Sequence, residues 1–401
     1  MPGRIVKRSK GSWTIVVDLG PDPVTGRRRQ LTKAVHGPKR EAEEELVRIL
    51  HDRAGGLEQP RHRLTVAQYF ERWLADYVAT TLAPKTLQEY RRIAATHIVP
   101  SLGAVALTAL RPAQIQAWYT ELLESGRLPA RSAKAKAAAP RVPGLSRRTV
   151  LRYHQVLHAA LRQAVRWQLL VRNPADAVEP PRAARRELVI PDAGDVRKIL
   201  TAADATEYGT LVRLAVLTGM RRGELLGLRW SDVDLEAAEI HVQQTAQRLT
   251  GQGIVYRQPK TRLSRRAIAL SPAAVAELRS HRKRQVEARL LAGPAYQDVG
   301  LVFATGIGTP IEPGNLLRAW AKIVKTAGVG KVRIHDLRHA HASLMLRQGV
   351  HPKIVSERLG HASIAITLDT YSHVVPGLQE AAAAQLDALL ADPEATEAAT
   401  V

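Results

Sequence analysis

HDLRHAHASLMLRQG, residues 335–349, is the stretch on which the reading of this chain turns. Its His335, Arg338 and His339 stand at i, i+3 and i+4 near the start of one helix, so they share a face. Leu337, Leu344 and Leu346 supply core contacts, and Gly349 stops the helix. Two histidines four apart suggest zinc, but the HExxH glutamate is missing and no carboxylate or cysteine completes a ligand set. A face that binds phosphate is the better reading, and neither a metal nor a cofactor is expected.

Three further stretches flank it in the same half of the chain. In TGMRRGELLGLRW, residues 218–230, Gly219 ends one helix and Glu224 lies near the start of the next. Arg221 stands where backbone N–H groups also favour anions. In QPKTRLSRRAI, residues 258–268, Lys260 falls in the turn between two strands, placed to extend an ammonium into a cleft. In LGHASIAITLDTYSHV, residues 359–374, Gly360 caps one helix and Ser363 starts another. Ile364, Leu368 and Tyr371 follow at i, i+4 and i+7, which predicts that all three face inward. Taken singly, Arg221 reads as a surface arginine paired with Glu224, Lys260 as a solvated turn lysine, and Tyr371 as a core tyrosine.

Charge gives an independent clue. The chain of 401 residues carries 59 Lys+Arg against 37 Asp+Glu, a formal +22, and such a field attracts polyanions. An arginine- and alanine-rich genome raises arginine everywhere and points to a GC-rich bacterial host. The distribution is more telling, because Arg127 to Arg186 hold 14 Lys/Arg and 2 acidic residues, a local surplus of +12. Cysteine is absent, which excludes disulfides, thiolate metal sites and a cysteine nucleophile, and fits the cytoplasm. No apolar run is long enough to span a membrane.

Outward from these stretches the chain divides into three parts. Residues 12–18 and RRRQLTKAV read as two strands and KREAEEELVRIL as a helix, making a first module over residues 1–60. Residues 61–180 read as a helical bundle. Its first helix begins at Thr65 with Val66, Tyr69, Phe70, Trp73 and Leu74 on one face, and its last runs from Ser146 until Asn173-Pro174 stops it. The Ala-, Lys-, Arg- and Pro-rich tract 127–145 interrupts the bundle as an exposed basic loop, suited equally to a DNA backbone or to solvent. Residues 181–401 form the last domain, with strands at 239–245, 253–258 and 265–270 in one small antiparallel sheet, a helix at 273–292 and a short strand LVFAT. The tail LQEAAAAQLDALLADPE is expected to be helical, with Leu378, Leu386, Leu389 and Leu390 on its apolar edge.

Taken in order, the four stretches resemble the tyrosine recombinase (phage integrase) family: T-G-x-R-x-x-E, a hairpin lysine, H-x-L-R-H, L-G-H, and a tyrosine ten residues on. The resemblance is strong over about Leu188 to Pro376, and no position departs from the pattern. It implies a mostly α fold with small β elements: a helical core-binding bundle and a mixed α+β catalytic domain, preceded by an arm-binding-like module of sheet and helix. It implies that Tyr371 attacks DNA to give a 3′-phosphotyrosyl link, while Arg221 and Arg338 clamp the phosphate oxygens. His335 would be general base, Lys260 general acid, and His361 a hydrogen-bond donor to phosphate, with Glu224 orienting the arginines. The implied partners are double-stranded attachment-type DNA, three further copies in a synaptic tetramer, an excisionase and a host DNA-bending protein. A type IB topoisomerase uses similar chemistry, but the first module and the T-G-x-R-x-x-E match favour recombination between two sites. A DNA-binding protein with a decayed catalytic domain is disfavoured because every catalytic position is filled.

Overall fold

In the computed structural model, described for residues 3–9, 11–21, 28–54, 64–128, 143–184, 189–258 and 265–371 and a few positions beyond, the chain falls into two compact units, Met1–Arg185 and Arg186–Val401. Lys260, most of the basic tract and nearly all of the C-terminal tail lie outside the described residues.

The first unit opens with three antiparallel strands in sequence order, β1 (Gly3–Ser9), β2 (Ser12–Pro21) and β3 (Arg28–His36), followed by α1 (Lys39–Ala54). Period-2 alternation on β2 sends Ile15 and Val17 inward, where they meet Ile49 of α1. Two strands were expected here; β1 is a third. Its GRIVKRS sequence has only Ile5 and Val6 among basic residues, a composition that suits an edge strand and hides the alternation.

The same unit holds a second core, made by helices. Thr65 caps α2 (Val66–Trp73) through a reciprocal pair of bonds with Gln68, and the turn of helix continues as a π-helical stretch, Leu74–Val78. Val66, Tyr69, Phe70, Trp73 and Leu74 are all buried, as their spacing requires. They pack with α3 (Pro84–Ile93), α4 (Pro112–Ser125) and α5 (Arg147–Arg166). Ser146 caps α5 as expected. The helix ends earlier than Asn173-Pro174: it stops at Arg166, and Gln168 turns the chain with a φ of 58°. Asn173 instead caps a short 3-10 turn, Pro174–Ala177.

The second unit carries α6 (Ala193–Asp204), α7 (Gly209–Thr218) and α8 (Arg222–Gly227) ahead of its strands. The strands form two sheets rather than one. The first pairs β4 (Val233–Asp234), β5 (Glu239–Val242) and β8 (Arg266–Ala269), while among the described residues β6 (Thr245–Leu249) pairs only with β7 (Gly253–Arg257). The chain breaks pairing between Val242 and Thr245, so the expected strand 239–245 is two elements. LVFAT is no strand either, because Leu301 and Ala304 make single bridges, to Arg229 and Pro310. The unit closes with α9 (Pro272–Ala292), α10 (Pro313–Thr326), α11 (Asp336–Arg347), α12 (Pro352–Leu359) and α13 (Ile364–Tyr371).

Leu337 of α11 sits in the main core with Leu211, Val212, Ile240, Ile268 and Leu316. The opposite side of α11, through Ala342 and Leu346, packs with Val355, Leu359 and Tyr371 in a smaller cluster. Helix α11 therefore stands between the body of the unit and the last two helices. The inward triad expected on α13 is corrected: Ile364 and Leu368 are 40% and 44% exposed, and Thr367 joins Tyr371 inside. Polar bonds, not apolar periodicity, set the rotation of this short helix.

Candidate active site

Arg221 is the N-cap of α8, and its position follows from Gly219. That glycine ends α7 at φ 64°, where a Cβ would come within 2.7 Å of both His341 and Leu359 side-chain carbons. The tight turn carries the chain directly from α7 into α8. Glu224, three residues on, accepts a bond from the Arg221 backbone N–H at 2.9 Å and from Arg221 Nη1 at 2.7 Å. Its carboxylate is 3% exposed and also accepts from Arg266 Nη2 at 2.9 Å and Nη1 at 3.3 Å. Burial would raise the Glu224 pKa, but Arg266, by hydrogen bond and by charge, and then Arg221 outweigh it and hold the group ionised.

Three consecutive carbonyls at the end of α12 each receive an arginine. Arg266 Nε donates to Arg358 O at 2.6 Å, Arg338 Nη2 to Leu359 O at 2.5 Å, and Arg221 Nη2 to Gly360 O at 3.2 Å. A helix C-terminus collects partial negative charge on carbonyls without intrahelical donors, so cations belong there. Gly360, at φ 65°, then turns the chain towards His361. Arg338 Nη1 also donates to Gly219 O at 2.8 Å and so joins the ends of α7 and α12. Burial and the nearby Arg221 lower the Arg338 pKa to about 9.

Arg358 extends the web from the other side, donating to Ala269 O at 2.9 Å and Leu217 O at 3.1 Å. Its Nε also donates, at 3.3 Å, to His341 Nε2, while His341 Nδ1 donates to Val216 O at 2.8 Å. Those partners fix His341 as the Nδ1–H tautomer, and burial together with Arg358 pushes its pKa down to about 4.

The remaining groups line the side facing α13. His361 Nδ1 lies 2.8 Å from Thr367 Oγ1, and burial with Arg338 and Arg221 nearby drops its pKa to about 4. The hydroxyl of Tyr371 is 2.7 Å from His339 Nδ1. Burial pushes that phenol up to about 12, with Arg338 pulling the other way. His335 occupies the N-cap position of α11, its ring meeting that of His339 edge-on at 5.2 Å. Burial and Arg338 lower its pKa as well. Asp336 beside it accepts from the Arg333 N–H at 2.7 Å and Nη2 at 2.6 Å.

The structure thus brings Arg221, Glu224, His335, Arg338, His361 and Tyr371 onto linked elements of one unit. Lys260 lies outside the described residues, between β7 and β8. Among the described residues no three His, Asp or Glu side chains are placed to hold a metal ion, and no helix is long and apolar enough to cross a membrane. Sequence reasoning did not single out Arg266 or Arg358, and it placed His339 on the phosphate-binding face without a step of its own in the reaction. Arg266 left a signal: it shares the inward face of β8 with Ile268, and a charge at an inward position needs a buried partner. An arrangement rich in guanidiniums, with one buried carboxylate among them and a tyrosine hydroxyl alongside, suits a phosphodiester and its negative transition state.

Comparisons with known proteins agree with this chemistry. The model of the phage integrase family matches residues 192–376, and that of the phage integrase N-terminal SAM-like domain matches residues 65–123. The chain is 30% identical over 390 residues to a XerC-like tyrosine recombinase of Caldanaerobacter subterraneus, covering 92% of this chain and 94% of that protein. It is 26% identical to the ICEBs1 integrase of Bacillus subtilis, over 96% of this chain and all of that one. In fold it resembles the Tn1549 transposon integrase, solved in complex with circular intermediate DNA, at TM-score 0.65 and 19% identity over 80% of this chain and 99% of that one. A lambda integrase tetramer bound to a Holliday junction is similar at TM-score 0.52 and 18% identity, over 92% of this chain and 95% of that one.

Proposed function

The chain belongs to the phage integrase family of tyrosine recombinases, enzymes that break and rejoin DNA, and from this premise we propose that it is the integrase of a phage or integrative element and that Tyr371 is its nucleophile. The carrying observation is the join between the arginines and the Tyr371 segment: Arg338 and Arg221 hold the carbonyls of Leu359 and Gly360, immediately before His361, which itself stands ten residues before Tyr371.

In the reaction the Tyr371 oxygen attacks phosphorus, the P–O5′ bond breaks, and a 3′-phosphotyrosyl link forms. Arg221 and Arg338 take the non-bridging oxygens, and His361 donates a further hydrogen bond to them. Arg–phosphate bonds of this kind are short and charge-assisted, and they strengthen as charge builds in the phosphorane. Glu224 is a positioning residue that holds the Arg221 fork. Lys260 supplies the proton that the leaving 5′-oxygen needs. His335, assigned as general base by resemblance, stands at the phosphate end of α11 with Arg338. The phosphotyrosyl bond conserves the energy of the broken phosphodiester, so rejoining needs no nucleotide.

The partner is double-stranded DNA carrying attachment-type sites. Residues 61–180 serve as its core-binding domain, residues 181–401 as the catalytic domain, and residues 1–60 contact arm-type sites. Four copies assemble on the two sites, with an excisionase setting direction and a host protein bending the DNA, all in the cytoplasm. A plasmid bearing the element's two attachment sequences tests this reading. The protein is expected to resolve it into two circles and to leave a plasmid without the sites supercoiled. Relaxation of the site-free plasmid without resolution of the other would assign the chain to topoisomerase chemistry instead.

A further inference from the structure

The proton of the nucleophile has a nearer acceptor than the histidine that resemblance assigns. Tyr371's hydroxyl bonds to His339 Nδ1 at 2.7 Å, and the two ring centroids lie 5.7 Å apart. His339 follows Arg338 directly on α11, so the residue that holds the phosphate and the residue that touches the phenol are neighbours on one rigid element. We propose that His339 is the catalytic residue that accepts the Tyr371 proton, with His335 serving the phosphate side; this rests on the reading of Tyr371 as nucleophile.

The balance of the step is simple. As the Tyr371 oxygen bonds to phosphorus, its proton passes to His339 Nδ1, which requires the neutral ring with its proton on Nε2. The P–O5′ bond breaks and the 5′-oxygen takes a proton from the general acid. On rejoining, His339 returns its proton to the phenol oxygen as the P–O bond to Tyr371 breaks.

The charged and titratable groups that act on His339 are His335, Asp336, Arg333 and Arg338 on its own side, His361 from the turn after α12, and Tyr371 from α13. Burial first, then His335, lower its pKa to about 4, with Asp336 opposing them. Against a phenol at about 12, the proton stays on oxygen in the DNA-free protein. A bound phosphodiester changes both sides of this comparison. Its charge offsets Arg338, which now depresses the histidine, and attack on phosphorus makes the phenol far more acidic. Transfer is therefore confined to the moment of attack, and the nucleophile stays dormant away from DNA. Asp336 is on hand to stabilise the transient imidazolium.

The test is the rate of covalent adduct formation on a nicked suicide duplex of the attachment site, between pH 6 and 9. Wild-type protein is expected to give a flat profile, since in the DNA-free protein His339 is neutral and Tyr371 protonated across this range and the proton moves only with attack. His339→Asn is expected to be slower by about 10²–10⁴-fold. Its rate should rise about tenfold per pH unit, as hydroxide replaces the lost base, and added imidazole should restore part of it. The deficit should persist on a duplex with sulfur in place of the bridging 5′-oxygen, whose leaving group needs no proton. Lys260→Met, by contrast, should recover on that duplex. His335→Gln should keep the flat profile. A His339→Asn protein within threefold of wild type, or slowed with a flat profile, overturns the proposal. So does a unit slope in His335→Gln instead. Wild-type protein that forms no adduct overturns the nucleophile reading itself, an outcome distinct from the failure of His339 alone.

Discussion

Arg338→Ala is expected to reduce DNA cleavage by at least about 10²–10³-fold and to loosen the catalytic unit at the same time. The cleavage loss follows from removing a fixed guanidinium aimed at charge that develops only in the transition state. The structural loss follows from two buried acceptors, Gly219 O and Leu359 O, left without this donor, at roughly 1–3 kcal/mol each. Arg338→Lys separates the two effects. It keeps a positive charge but cannot span both carbonyls with a planar fork, so it should recover less cleavage than charge alone would restore. Adduct rates and thermal melts of the two variants are the measurements. An Arg338→Ala protein that cleaves within tenfold of wild type would contradict the assigned clamp.

Glu224→Ala is expected to have a large effect on stability, about 3–5 kcal/mol, because it strands Arg266 and Arg221 without their shared carboxylate. For a unit of this size that is a fall in Tm of roughly 6–20 °C. Glu224→Gln keeps the shape and loses the charge, so it should fall between. The sign with pH follows from the direction of the shift. The folded pKa of Glu224 lies below the ordinary 4.5, so its contribution is complete above that value and is lost as pH falls through the depressed folded value. Wild type and Glu224→Ala should therefore differ most in Tm at neutral pH and converge under acid. A gap that widens below pH 4 would show that the carboxylate is not held ionised in the fold.

The parts of this molecule legible in sequence are those fixed by local rules. The face of α2 was readable because five large apolar side chains recur at helical spacing behind a Thr65 cap. The ends of α7 and α12 were readable because Gly219 and Gly360 adopt the left-handed conformation that stops a helix. The order of Arg221, His335, Arg338, His361 and Tyr371 carried the family reading without any structure. What escaped depends on contacts distant in sequence. Arg266 and Glu224 are 42 residues apart, and Arg221 and Gly360 are 139 apart. No spacing rule joins such pairs. The inward face of α13 was misjudged for a related reason. Apolar periodicity put Ile364 and Leu368 inside, but bonds from Thr367 to His361 and from Tyr371 to His339 set the rotation. Strand β1 was missed because an edge strand rich in arginine and lysine shows little alternation.

The central claim is that Tyr371 becomes covalently joined to DNA, and a nicked suicide duplex measures it directly. Wild-type protein incubated with a labelled attachment-site duplex and then denatured is expected to leave a protein–DNA band. Tyr371→Phe is expected to leave none, while still retarding the same duplex in a native gel. A Tyr371→Phe protein that still forms the covalent band would contradict the account.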